Sequence, residues 1–97
     1  MVIISKAKIV TFYENEKKAK EPLLQWYNIT LLSNWQDFHG VKQTYNSVDS
    51  VGNDRYVFNV GGNKYRIVAM IHFSTRTVYL RFVGTHKQYD KINCKTI

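Results

Sequence analysis

The chain has little that would staple, break or lengthen it. A single cysteine among 97 residues, Cys94, excludes an internal disulfide and a zinc site built on cysteines. With one proline and five glycines there is no linker, repeat or low-complexity stretch, and a chain of this length is expected to form one domain over residues 1–97. No run approaches the ~20 apolar residues of a membrane-spanning helix. The start, Met1-Val2-Ile3-Ile4-Ser5-Lys6, turns polar too soon for a signal peptide. A cytoplasmic protein is expected. Acidic residues are also scarce, and no cluster of carboxylates has the number that a Mg²⁺ nuclease needs, so neither a metal nor a cofactor is expected.

What is present is apolar and basic. Hydrophobic residues make up 44% of the chain and aromatics 14%, which argues for a packed globule and against disorder. Fourteen Lys and Arg stand against seven Asp and Glu, a net charge of +7, and a polyanionic partner is implied. The surplus is uneven. Residues 49–97 hold eight basic and three acidic residues, a net of +5, whereas residues 1–48 hold six and four, a net of +2.

Hydrophobic spacing predicts helices first and strands afterwards. Val2 to Ile4 reads as a short strand. Ser5 is placed to cap a helix from Lys6 to about Lys18, with Ile9, Phe12 and Tyr13 on one stripe. Glu21-Pro22 opens a second helix with Pro22 at its first position, and Leu23, Leu24, Tyr27 and Leu31 form its apolar face. A shorter helix is expected from Asp37 to Tyr45, then a polar connector from Asn46 to Asp54. Arg55 to Val60 alternates as a strand, with Tyr56, Phe58 and Val60 on one face. Gly61-Gly62-Asn63 is a hairpin signal, and Lys64 to Phe73 and Thr77 to Val83 follow as further strands. Val78, Leu80 and Phe82 are expected to face the core, with Tyr79, Arg81 and Val83 facing away.

Two arginines stand inside these strand-like runs, where propensity favours apolar or β-branched residues. Arg66 and Arg81 can share the outer face of adjacent antiparallel strands, with Arg55 and Asn59 joining them. A glycine-containing turn, Gly84-Thr85, then delivers His86, Tyr89, Asp90 and Lys91 within a few residues. Such a surface suits phosphate, with groups beside it able to move protons.

The sequence closely resembles the HigB family of mRNA interferase toxins, within the RelE-like superfamily of type II toxin–antitoxin systems. The resemblance is carried by Arg55-Tyr56-Val57-Phe58-Asn59-Val60, by Gly62-Asn63-Lys64-Tyr65-Arg66, and by Arg81-Phe82-Val83-Gly84-Thr85-His86 with Tyr89-Asp90-Lys91-Ile92. Pro22-Leu23, Trp26-Tyr27 and Trp35 fit as well. It implies an α+β, RelE-like fold, with N-terminal helices packed on one face of a small, mainly antiparallel sheet. It implies an endoribonuclease that cleaves translated mRNA in the ribosomal A site. It also implies a HigA-type helix-turn-helix antitoxin, with operator DNA bound only through the toxin–antitoxin complex.

Cleaving RNA without a metal needs a base for the 2′-hydroxyl, a cation for the charge on the phosphorane and an acid for the leaving oxygen. His86 is the best single candidate for proton transfer, since an unperturbed imidazole titrates near ~6.5. Arg66 and Arg81 suit the charge role, because a guanidinium grips two phosphate oxygens. Tyr89 can stack on a base or donate its phenol proton. Asp90 is placed to orient His86 or Lys91, and Lys64, Lys91 and Arg55 to hold flanking phosphates. Base and acid stay unassigned among His86, Tyr89 and Lys91. The bland alternatives are that His86 is a turn residue, that the arginines are solvated strand residues paired with Asp90, and that Tyr89 closes the edge of the core. The rival function is a basic RNA- or ribosome-binding module that does not cut, which needs only cations and aromatics.

Overall fold

In the computed structural model, which describes residues 1–97, five strands form one sheet in the order β1-β5-β4-β3-β2. The strands are β1 (Val2–Ile4), β2 (Asp49–Gly52), β3 (Arg55–Val60), β4 (Tyr65–His72) and β5 (Thr77–Thr85). All neighbours are antiparallel except β1, which runs parallel to β5. The helices α1 (Ala7–Asn15), α2 (Lys20–Leu32) and α3 (Phe38–Thr44) cover one face, and a single turn of helix, α4 (His86–Tyr89), follows β5. This is the α+β, mainly antiparallel architecture that the sequence implies. No helix is long and apolar enough to cross a membrane.

The core lies between helices and sheet, and its centre is aromatic. Phe58 of β3 is only 1% exposed and meets the rings of Trp26, Tyr45 and Trp35 at 5.1, 5.4 and 6.3 Å. The Tyr45 hydroxyl donates to the Trp26 carbonyl at 3.0 Å and lies 3.0 Å from the Thr30 hydroxyl. Burial pushes the Tyr45 phenol up to about 12, against the opposing Thr30 bond, so this polar group stays neutral inside the fold. Ile67, Ala69 and Ile71 of β4 and Val78 and Leu80 of β5 complete the layer. The aromatic residues of the N-terminal half are thus core, not a base-stacking platform.

Four local expectations are corrected. Ser5 does not cap α1: its φ of 74° is left-handed, and Lys6 stands at the N-cap without a side-chain bond. The helix ends at Asn15, because Glu16 turns extended and a 3-10 turn, Lys17–Ala19, leads into α2 with Ala19 fully buried. Pro22 is the third residue of α2, still within the first turn, where its missing N–H has no intrahelical acceptor to lose. The connector at 46–54 contains β2, which pairs Asp49 with Val57 and Ser50 with Tyr56. An exposed edge strand buries little, so its composition stays polar and its periodicity weak.

A fifth correction shapes the functional face. A β-bulge lies where Val68 pairs with Phe82 and Ala69 with Leu80, leaving Arg81 as the extra residue of β5. The inserted residue shifts the alternation. Phe82 opposes outward-facing Val68, whereas Val83 opposes Ile67 and packs against the core, the reverse of what unbroken alternation predicts.

Candidate active site

The outer face of the sheet carries the polar and basic side chains of β3 and β4. Arg66 sits opposite Asn59 on one side and Gly84 on the other. Its guanidinium is tethered by Nη1 to the carbonyls of Asn63 and Tyr65, at 3.0 and 3.3 Å. It lies 6.0 Å from the centre of the Tyr89 ring, at cation–π range. Arg66 and Tyr89 therefore face each other from the middle of the sheet and from α4.

The position of α4 follows from its first residues. Thr85 is the N-cap: its hydroxyl accepts from the Gln88 amide at 3.2 Å, and the Gln88 side chain accepts from the Thr85 amide at 2.8 Å. This reciprocal capping box holds a helix too short to be stable by itself. The His86 amide donates to the Lys64 carbonyl at 3.2 Å, so the β4–β5 ladder runs on into the helix. Lys64, exposed in the hairpin turn, thereby stands next to His86. The Thr-x-x-Gln spacing was legible in the sequence, although neither residue was singled out for it.

His86 and Asp90 form an i,i+4 pair with Nδ1 3.2 Å from Oδ2, and both side chains are more than half exposed. An exposed pair of this kind adds little stability; its effect is orientation. An ionised Asp90 can only accept, so Nδ1 carries the hydrogen and Nε2 keeps the lone pair. Asp90 thus stands within hydrogen-bond distance of His86, one of the two residues it was expected to orient.

Tyr89 differs. Its hydroxyl donates to the Cys94 sulfur at 3.5 Å. That bond, then burial and the nearby thiol, push its phenol up to about 12, against the lowering effect of Arg66. A phenol raised in this way keeps its proton at neutral pH, which suits it to donating a proton more than to accepting one. Cys94, expected to be incidental, is its hydroxyl's partner.

The remaining candidates divide. Lys91, exposed just past α4, donates its amide to the Gln88 carbonyl at 3.2 Å. Arg81 does not share Arg66's contacts. Its Nε donates to the Ile97 carbonyl at 3.3 Å, and Arg55 donates to the same oxygen from Nε at 3.2 Å and Nη2 at 2.8 Å. The expected cluster is therefore divided: Arg66 meets Tyr89, His86 pairs with Asp90 beside the Lys64 backbone, and Arg55 and Arg81 share the Ile97 oxygen. The largest surface groove, lined by Lys17, Lys18, Lys20 and Gln25 among others, shares no residue with either group. No three His, Cys, Asp or Glu side chains come together as a metal cluster would need.

The match to known proteins rests on this strand-and-turn region and the helices before it. The family model for HigB_toxin, the RelE-like toxic component of a toxin–antitoxin system, matches residues 19–92. The chain belongs to the HigB toxin family. The mRNA interferase toxin HigB of Escherichia coli strain K12 is 60% identical over 35 residues, a stretch that covers 36% of this chain and 34% of that one. The match therefore spans about a third of that relative's length. A HigB mRNA interferase of Escherichia coli O6:H1, strain CFT073, is 28% identical over 95% of this chain and 91% of its own. Within the HigB family framework, Gly84 has a local role of its own. A Cβ there would stand 2.5 Å from Phe82 Cζ and 2.7 Å from Gln88 Oε1. Phe82, whose ring is 6.5 Å from that of Tyr89, lies across the glycine. Gly84→Ala is expected to displace Phe82 or break the capping box, costing ~1–3 kcal/mol in a urea melt. An unchanged urea midpoint would mean that the turn tolerates the methyl.

Proposed function

We propose that this HigB-family chain is a ribosome-dependent mRNA endonuclease that cuts translated mRNA in the A site by metal-free acid–base transesterification. The observation that carries the proposal is a tethered arginine 6.0 Å from the ring of Tyr89, with a histidine paired to a carboxylate on the same single-turn helix as that tyrosine. Nε2 of His86 accepts the 2′-hydroxyl proton as the 2′-oxygen attacks phosphorus. Arg66 neutralises the charge gathering on the non-bridging oxygens. The phosphorus–O5′ bond breaks, Tyr89 gives its proton to that oxygen, and a 2′,3′-cyclic phosphate and a 5′-hydroxyl remain. Lys64 and Lys91 hold flanking phosphates.

A chain this small has few groups with which to position RNA itself. The ribosome supplies the orientation, and orientation is a large share of rate enhancement. A HigA-type helix-turn-helix antitoxin restrains the toxin, the complex binds operator DNA through the antitoxin, and both act in the cytoplasm. Purified protein should cut mRNA on programmed ribosomes far faster than the same mRNA free in solution. Equal rates would remove the ribosome from the mechanism. Binding with no cutting on either substrate would leave a non-catalytic RNA- or ribosome-binding module.

A further inference from the structure

Strand register fixes which side chains share the outer face of the sheet at the end away from Arg66. Ile4 pairs with Tyr79, Tyr79 with Met70 and Met70 with Arg55, so these four form one row across the sheet. Val2, Thr77 and His72 form the next row. Residues paired across strands point to the same face, and Ile3 packs on the core, so Val2 and Ile4 on either side of it point outward. Val2 is 54% and Ile4 42% exposed, His72 is exposed and Tyr79 is half-buried. The rings of His72 and Tyr79 meet edge to face, with centroids 5.3 Å apart. This aromatic and apolar patch is continuous with the candidate active site. Between His72 and Arg66 the same face carries Arg55, Arg66 and Arg81 against one acid, Asp49, which suits it to a polyanionic strand.

We propose that Tyr79 and His72 form a base-stacking platform that holds one unpaired nucleobase of the RNA strand, with Ile4 and Val2 as its apolar flank. Every base has a flat π-face, so such a platform grips the strand without reading its sequence. His72 lies six residues from Arg66 along β4. At ~3.4 Å per residue this is about 20 Å, so the base held belongs to a nucleotide removed from the scissile phosphate. Tyr79 and His72 therefore act in substrate binding and take no part in proton transfer. The inference rests on the RNA-cleaving activity proposed above for the identity of the strand, and it adds a contact to bases where the arginines and lysines contact phosphates.

The test has two arms. In the first, aromatic C–H signals are followed by NMR while an uncleavable 2′-O-methyl oligoribonucleotide is added to the intact protein. The His72 and Tyr79 signals should move upfield together under the ring current of a stacked base, with His39, exposed on α3, as the unmoved reference. An abasic oligomer of the same length and backbone should leave both in place. No shift at millimolar oligoribonucleotide overturns the platform, whether or not the protein cuts RNA, and leaves the patch to a protein partner. An equal shift with the abasic oligomer overturns it in favour of a backbone contact. In the second arm, single-turnover cleavage on programmed ribosomes is measured against protein concentration. Tyr79→Ala should raise the half-saturating concentration ~10-fold or more with the plateau rate within about twofold. Tyr79→Phe keeps the stacking face and should stay within about twofold of the starting protein. Both variants should keep the urea midpoint, because Tyr79 stands outside the core. An unchanged half-saturating concentration in Tyr79→Ala, or a loss confined to the plateau, overturns the platform. Absence of cleavage in the unaltered protein would defeat the proposed activity and leave the NMR arm to decide the platform.

Discussion

Arg66→Ala is expected to lower the single-turnover cleavage rate on programmed ribosomes by ~10²–10³-fold, the cost of removing one preorganised donor from a developing oxyanion. The guanidinium is tethered to the Asn63 and Tyr65 carbonyls, so it is in place before substrate arrives and reorganises little during reaction. Its side chain belongs to the outer face and is only half-buried, so truncation opens no core cavity, and the urea midpoint should change little. Removing its positive charge also takes away the influence that lowers the Tyr89 phenol, so Tyr89 stays protonated but becomes a weaker acid. The loss therefore combines weaker stabilisation of the phosphorane with weaker proton donation. Arg66→Lys should restore only part of the rate, since an ammonium cannot reproduce the fork. A rate within a few-fold of the starting protein, with the fold intact, would take Arg66 out of the chemistry.

The second large effect is expected at His86. His86→Ala should lower the same rate by ~10²–10⁴-fold with little change in the half-saturating concentration. The side chain is exposed and its pairing with Asp90 stabilises little, so activity and stability should separate cleanly. The pH profile supplies a readout that a turn residue would not move. If Nε2 is the base, protonation removes its lone pair, so the rate of the starting protein falls as pH falls. In His86→Ala that acid-side decline should disappear. Asp90→Asn should cost less, because it disturbs the ring's orientation and tautomer while leaving the base present. An acid-side decline that persists in His86→Ala, together with a small rate loss, would move the proton-accepting role to another group.

Much of the architecture was legible because it is written in short windows. The alternation Tyr56, Phe58, Val60 and Tyr65, Ile67, Ala69, Ile71 states which face of β3 and β4 is buried, and all seven residues lie in the core. Gly61-Gly62-Asn63, all three at positive φ, marks the hairpin that pairs those strands. The motifs around Arg66 and His86 carry the family. The polar stretch at 49–52 hid a strand, because an edge strand exposed to solvent need not alternate.

The residue types and their order along the chain were thus determined by sequence alone: a basic second half, helices before strands, and a turn bearing His86, Tyr89 and Asp90. The tertiary structure alone decided how they are grouped. Strand periodicity placed Arg66 and Arg81 on one shared face, but a one-residue bulge at Arg81 turned Phe82 outward and Val83 inward and sent Arg81 to Arg55. Nothing near Tyr45 in sequence announces that burial beside Trp26, Trp35 and Phe58 pushes its phenol up to about 12. The physical reason is common to these cases. Propensity and periodicity act between neighbours along the chain, whereas bulges, edge pairing and proton affinity are settled by contacts that exist only once distant strands have packed together.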